Sequence, residues 1–102
     1  MNGGALILVV TLTVRREAAA EFEDFERQAA GIMGRYGGKI EREIRLAGDE
    51  RADTFRDVHI VSFPDAASFE AYRQDAGLAA LSTLRERAVV STEILIGRDI
   101  VG

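Results

Sequence analysis

Asp57-Val58-His59-Ile60-Val61-Ser62-Phe63-Pro64-Asp65 is the stretch that decides the fold of this 102-residue chain. From Asp57 to Phe63 the side chains alternate between two faces, as a β-strand requires. Pro64 then removes a backbone donor and ends the strand. Asp65 stands where a helix N-cap belongs, ahead of Ala66, Ala67 and Ser68. The stretch therefore reads as strand, tight turn and first helical turn, and it carries His59, the only histidine in the protein.

Upstream, the strand extends back to Phe55, with Val58 and Ile60 on one face and Asp57, His59, Val61 and Phe63 on the other. Ala47 to Thr54 is a polar loop around Gly48 and Asp49, the segment expected to be most mobile. Lys39 to Leu46 alternates as a second strand, with Ile40, Ile44 and Leu46 on one side and Lys39, Glu41, Glu43 and Arg45 on the other; a wholly polar face predicts a sheet edge. Before it, Phe22, Phe25, Ala29, Ile32, Met33 and Tyr36 recur at helical spacing within Glu17 to Tyr36. Glu17, Glu21, Glu23 and Asp24 suit the positive end of that helix, and Gly37-Gly38 supplies its stop. Gly31 and Gly34 cost helix propensity and point either to close packing or to an early end. Ala5 to Val14 is rich in branched apolar residues and predicts a first strand that is apolar on both faces: Leu6, Leu8, Val10, Leu12 and Val14 on one, Ile7, Val9, Thr11 and Thr13 on the other. Met1 to Gly4 reads as a frayed tail.

Downstream of Asp65, Phe69 and Tyr72 face inward on a helix whose stripe breaks at Asp75-Ala76-Gly77. The stripe resumes as Leu78, Leu81, Leu84 and Ala88, which predicts a kink or a brief interruption. Val89 to Ile96 reads as a fourth strand, and Arg98 to Val101 as a short extension.

Composition excludes several classes of function. The net charge is -4 and the sequence pI about 5.0, so there is no basic surface from which counterion release could drive nucleic-acid binding. No cysteine is present, which removes disulfides, thiolate nucleophiles and cysteine metal sites together and agrees with a reducing cytoplasm. The longest apolar run, Ala5 to Val14, is interrupted by threonines and is about half of what a membrane-spanning helix needs. A secretory leader carries its positive charge before the apolar segment, whereas Arg15 and Arg16 follow it. The expectation is a cytoplasmic protein with no membrane partner.

Strand, helix, strand, strand, helix, strand in about a hundred residues is the ferredoxin-like α+β arrangement βαββαβ, with a four-stranded antiparallel sheet and strands one and three at its centre. Both helices then cover one face, yet the central strands are apolar on both. Covering Ile7, Val9, Val61 and Phe63 would contribute roughly 6 to 12 kcal/mol per chain. Doubled in a pair of chains, this competes with an association cost of about 4 to 15 kcal/mol. A twofold homodimer through the sheet faces is therefore expected.

With these elements in place the chain resembles the dimeric α/β-barrel superfamily from Leu6 to Ile96. The likeness is carried by the element order, by Val58-His59-Ile60-Val61-Ser62-Phe63-Pro64-Asp65-Ala66-Ala67-Ser68-Phe69, and by the downstream Tyr72 and Leu84-Arg85. It is most similar to short bacterial families of unknown function, relatives of the antibiotic-biosynthesis-monooxygenase-like and stress-responsive barrel proteins. The resemblance implies two ferredoxin-like chains forming a dimeric α/β barrel. The superfamily hosts oxygenases, isomerases, cyclases, haem enzymes and ligand-sensing domains, so the fold alone does not select among them. Haem-degrading relatives use an Asn, His and Trp constellation, whereas this chain has no Trp and no Asn beyond Asn2. Polyketide-cyclase-like members carry a His after the helix tyrosine; here Tyr72 is followed by Arg73, Gln74 and Asp75. What remains similar is a titratable group on the third strand, represented by Asp57 and His59.

Asp57 and His59 share a strand face about 7 Å apart along the backbone. That spacing fits a carboxylate orienting a catalytic imidazole, and equally a hydrogen-bonded histidine used for packing. Thr11 and Thr13 are candidate ligand-binding hydroxyls if their face lines the barrel, and plain strand formers otherwise. Tyr72 is a candidate at the pocket mouth or a core aromatic; Arg85 is a candidate carboxylate clamp or part of a solvated face with Glu86 and Arg87. No metal site is expected, because one histidine would have only carboxylates such as Asp57 and Glu93 beside it. No cofactor is implied either, since Gly37-Gly38 follows a helix where a dinucleotide fingerprint must follow a strand. Ser62 faces away from His59, which leaves a hydrolase triad unsupported.

The sequence thus predicts a homodimer binding a small, largely apolar organic molecule. Its catalytic form is a cofactor-free monooxygenase, isomerase or cyclase with His59 as acid/base. The alternative is a non-catalytic interaction or assembly module whose interior is filled by Phe55, Val61, Phe63 and Leu95.

Overall fold

A computed structural model describes residues 5–101; the tail read at Met1 to Gly4 lies outside them. The elements run β1 (Leu6–Arg15), a 3-10 turn (Arg16–Ala18), α1 (Ala19–Gly34), β2 (Lys39–Arg45), β3 (Thr54–Phe63), α2 (Ala66–Arg73), α3 (Ala76–Ala79), α4 (Ser82–Ala88) and β4 (Val89–Gly97). The four strands form one antiparallel sheet in the order β2-β3-β1-β4, with β1 and β3 central. This is the ferredoxin-like α+β fold read from the element order. No helix among the described residues is long and apolar enough to cross a membrane.

Local chemistry explains the punctuation. The Asp65 carboxylate accepts a hydrogen bond from the Ser68 N–H at 2.8 Å, so the cap that follows Pro64 is real. Asp75 restarts the second helical segment by accepting from Gly77 and Leu78 at 2.7 and 3.1 Å, which is the physical form of the expected interruption. At the end of α1 the Gly37 N–H reaches the Gly34 carbonyl at 3.2 Å and the Gly38 N–H reaches the Met33 carbonyl at 3.0 Å, a Schellman stop with Gly37 at φ 76°. Gly38 is needed for a different reason: a Cβ there would stand 2.3 Å from the Met33 side chain and 2.6 Å from the Phe63 ring. Gly31 and Gly34 have open space around them, so close packing is not what they provide. The loop expected to be mobile is tethered by Arg16, whose backbone N–H and Nε donate to the Asp53 and Ala52 carbonyls at 2.8 Å.

Pairing register assigns the two sheet faces. Leu8 pairs with Val61, Val10 with His59 and Leu12 with Asp57, all on the side covered by helices. Val61 and Phe63 therefore belong to the helix-covered core and not to the second face, as the apolar count had grouped them. The open face instead carries Ile7, Val9, Thr11 and Thr13 of β1, Val58 and Ile60 of β3, and Leu95 of β4, which is 58% exposed. No element among the described residues covers it, so the need for a cover stands with a corrected set of side chains.

The alternation expected for β2 also fails, at a β-bulge. Ile40 pairs with Val61, but the next pair is Arg42 with Ile60, so Glu41 is the extra residue. Beyond the bulge the faces exchange. Ile44 turns to the open face, while Glu43 and Arg45 turn inward beside His59 and Asp57.

The fully buried side chains form two clusters, and Val10 packs against both. One cluster joins Leu12, Val14, Phe22, Phe55, Ala88 and Val89; the other joins Leu8, Met33, Val61, Phe63 and Phe69. Two glycine substitutions should move stability in opposite directions in urea denaturation. Gly38→Ala overpacks the Phe63 contact and should cost about 1 to 3 kcal/mol, whereas Gly31→Ala, in an open helical position, should gain about 0.5 to 1 kcal/mol.

Candidate functional site

The gap between the two clusters is a cavity of about 340 Å³ between the sheet and the helices. Its apolar wall includes Leu8, Val10, Phe22, Val61, Phe63 and Phe69. Polar groups enter at two places: His59 and Glu26 on one side, and Tyr72, Ser82, Arg85 and Thr92 on the other. The Arg85 guanidinium donates to the Thr92 hydroxyl. Burial pushes the Tyr72 phenol up to about 12, so it stays a neutral hydroxyl across the physiological range.

His59 is 6% exposed and Asp57 5% exposed, two polar residues inside an otherwise apolar face. Asp57 is satisfied by Arg45, whose Nε and terminal nitrogen donate to its two oxygens at 2.8 and 3.0 Å. The same guanidinium lies 3.9 Å from the centre of the Phe55 ring, which fixes its plane. The β2 bulge makes this pairing geometrically available.

His59 is treated differently. Its Nε2 has Glu26 Oε2 at 3.0 Å and Glu43 Oε1 at 3.6 Å. Nε2 is buried without a hydrogen-bond partner: the Glu26 oxygen is near enough but not placed to receive a ring N–H, and the Glu43 oxygen lies beyond hydrogen-bond distance. Burial lowers the imidazole pKa below its ordinary value, with Arg45 assisting and the charges of Glu43 and Asp57 opposing. The Glu26 contact is therefore not an ion pair at neutral pH. Burial also pushes the Glu26 carboxyl up to about 8, and the charges of Glu43 and Asp57 and a hydrogen bond with the Glu43 side chain add to the rise against the pull of Arg45.

Of the residues singled out in the sequence, His59, Tyr72 and Arg85 line the cavity. Asp57 shares their sheet face but borders a polar cleft between α1 and β2, occupied by its pair with Arg45. Thr11 and Thr13 are on the other side of the sheet: Thr11 pairs with Val58 and Thr13 with Arg56, one residue out of phase with His59 and Asp57. Their hydroxyls cannot reach this cavity, because strand alternation sends neighbouring side chains to opposite faces. Glu93, weighed as a carboxylate neighbour of His59, pairs with Thr11 and shares that open face.

Glu26 and Glu43 were not singled out. Glu26 sits four residues after Phe22 and three before Ala29, squarely in the buried stripe of α1, so an inward carboxylate was legible there. Glu43 was hidden by the bulge, which simple alternation cannot anticipate.

No family model and no curated protein matches the chain. Solved structures do match its fold. RPA0582, a protein of unknown function from Rhodopseudomonas palustris, superposes with a TM-score of 0.77 at 17% identity, covering 99% of this chain and 86% of that one. A Nitrosomonas europaea protein provisionally named an antibiotic biosynthesis monooxygenase gives 0.73 at 14% identity, covering 98% and 94%. SnoaB, a cofactor-independent oxygenase from Streptomyces nogalater, gives 0.66 at 16% identity, covering 96% of each chain. At these identities the likeness establishes the ferredoxin-like architecture shared with monooxygenase-type proteins and not a reaction.

The Arg45 and Asp57 pair is open to a double-substitution test. Arg45→Met leaves a buried carboxylate without its donors and should destabilise the protein by about 1 to 3 kcal/mol. Adding Asp57→Asn should recover part of that loss in the same denaturation measurement, because the stranded charge is gone.

Proposed function

We propose that this chain is a small-molecule-binding homodimer that takes one compact, largely apolar organic molecule per chain into the cavity between sheet and helices. His59 is the group that acts on the molecule. The observation that carries the reading is the cavity itself, about 340 Å³ of unfilled core with apolar walls and an imidazole on one side. A bound molecule there would make the packing contacts that the apolar walls leave unmade. The volume also weighs against the assembly-module alternative: Val61 and Phe63 line the space without closing it, and Leu95 is on the other face.

The site suits cofactor-free chemistry of the monooxygenase, isomerase or cyclase type, with His59 accepting a proton from an acidic C–H or O–H. Glu26, at 3.0 Å, is its nearest carboxylate. Asp57, engaged with Arg45, supports the strand and not the imidazole. Arg85 and Tyr72 on the far side would receive the polar end of the bound molecule. Support for the class comes from the fold shared with SnoaB and the provisionally named monooxygenase. The dimer is supported by Ile7, Val9, Val58, Ile60 and Leu95, an apolar centre on an open face that a second copy can cover.

Native mass spectrometry tests both parts. The wild-type protein should run as a dimer and should retain, or take up from a panel of small aromatic and alicyclic compounds, one molecule per chain. Val61→Phe, which fills the cavity, should lose that uptake while staying dimeric. Ile60→Glu, on the open face, should give monomers. A monomeric wild-type protein would overturn the assembly, and uptake unchanged in Val61→Phe would overturn the cavity as the binding site.

A further inference from the structure

Glu26 from α1, Glu43 from β2 and His59 from β3 place their donor atoms within 4.8 Å of one another. We propose that these three side chains form a binding site for one divalent transition-metal ion of the zinc, cobalt or manganese class, at the boundary between the cavity and the outer cleft.

Geometry carries the argument first. Zinc-type bonds to nitrogen and oxygen of about 2.0 to 2.2 Å hold tetrahedral donors about 3.4 Å apart. The distances from His59 Nε2 to the Glu26 and Glu43 oxygens, 3.0 and 3.6 Å, bracket that spacing. A ring N–H hydrogen bond does not account for the arrangement: the Glu26 oxygen at 3.0 Å is not placed to receive one, the Glu43 oxygen at 3.6 Å is out of range, and the hydrogen bond that is present joins the Glu26 and Glu43 carboxyls to each other. A buried polar atom with no partner is uncommon and calls for a ligand. Two carboxyl oxygens and one imidazole nitrogen, from a helix and two strands, thus converge on one small space.

Charge gives the same answer. Glu26, Glu43 and Asp57 bring three negative charges when ionised, and Arg45 returns one positive, which leaves two negative charges around a buried space. One divalent cation would cancel them. The donors are one imidazole and two carboxylates with no thiolate, a mixed set that suits zinc, cobalt or manganese. The site also explains the bulge at Glu41, which turns Glu43 inward although β2 is an edge strand.

The inference rests on the same cavity as the proposed function, since His59 and Glu26 line it. With a cation bound, His59 is a ligand and no longer a base, and the ion polarises an oxygen of the bound molecule as a Lewis acid. Metal-free and metal-loaded protein would then handle different molecules.

The test is titration of chelator-stripped, full-length protein with Zn2+ by calorimetry and with Co2+ by visible absorption, with circular dichroism to confirm folding of each variant. One ion per chain is expected. Glu43→Gln, at a half-exposed position, and His59→Gln should each weaken binding by at least about 100-fold, more than the loss of an outer-shell partner would cost. Glu93→Gln, on the open face, should bind as the wild type does. Absence of saturable binding up to about 1 mM ion, or wild-type binding in either Glu43→Gln or His59→Gln, would overturn the site. Uptake of an apolar molecule by native mass spectrometry is read separately, so failure of the metal site and failure of the cavity are distinguishable.

Discussion

Two ionisable groups on the inward face of a central strand, Asp57 and His59, are the constraint that shapes the rest of this molecule. An apolar core admits a charge only if a partner comes with it, and the cost of leaving one stranded exceeds what several buried methyl groups return. Asp57 meets that condition through two hydrogen bonds from Arg45. Arg45 is on an edge strand whose regular alternation would have pointed it the other way. The bulge at Glu41 resolves the conflict and, in doing so, brings Glu43 to His59 as well. A single extra residue in β2 therefore both neutralises one buried group and assembles a site around the other.

The contrast between the two groups is informative. Asp57 is fully occupied, its partner's plane fixed by the Phe55 ring. His59 is equally buried, yet its Nε2 has carboxylates near it and no hydrogen bond to either. Structural polar groups in cores are satisfied; groups held ready for something else are often not. The packing reading, in which His59 is a hydrogen-bonded core residue, does not describe what Nε2 does here. The cavity beside it is lined by side chains of both buried clusters and by Val10, which packs against each.

The element order, the central strand pair, the Asp65 cap, the glycine stop of α1 and the break before Leu78 were legible because each depends on local chemistry that the sequence states directly. The faces were only half legible. Alternation gave two correct lists for β1 and two for β3, but which list of one strand joins which list of the other is set by pairing register, a non-local fact. Grouping Ile7 and Val9 with Val61 and Phe63 crossed the sheet, and Thr11 and Thr13 followed them to the wrong side. Glu43 was out of reach, because a bulge with no glycine and no proline leaves no mark on the pattern. Glu26 was within reach: an acid in the buried stripe of an amphipathic helix is itself a signal, and it went unread because its neighbours Glu23 and Asp24 make the region look solvated.

The sheet assigns different tasks to its two sides, and this has a consequence for how the protein tolerates change. Along β1 the even-numbered residues from Leu8 to Val14 build the cavity wall and the core, while Ile7 and Val9 sit on the open face. Along β3 Val61 and His59 serve the cavity, and Ile60 and Val58 serve the open face. Because adjacent residues of one strand project oppositely, the cavity wall and the open face are built from the same ten-residue segments without sharing a side chain. The two faces can therefore vary independently, provided register holds. Register in turn depends on β3 keeping both neighbours, and on the β2 side its pairing is interrupted by the same bulge that faces Glu43 inward. The irregularity in β2 and the polar side of the cavity are thus one structural feature, which places the site beside an interruption in regular pairing.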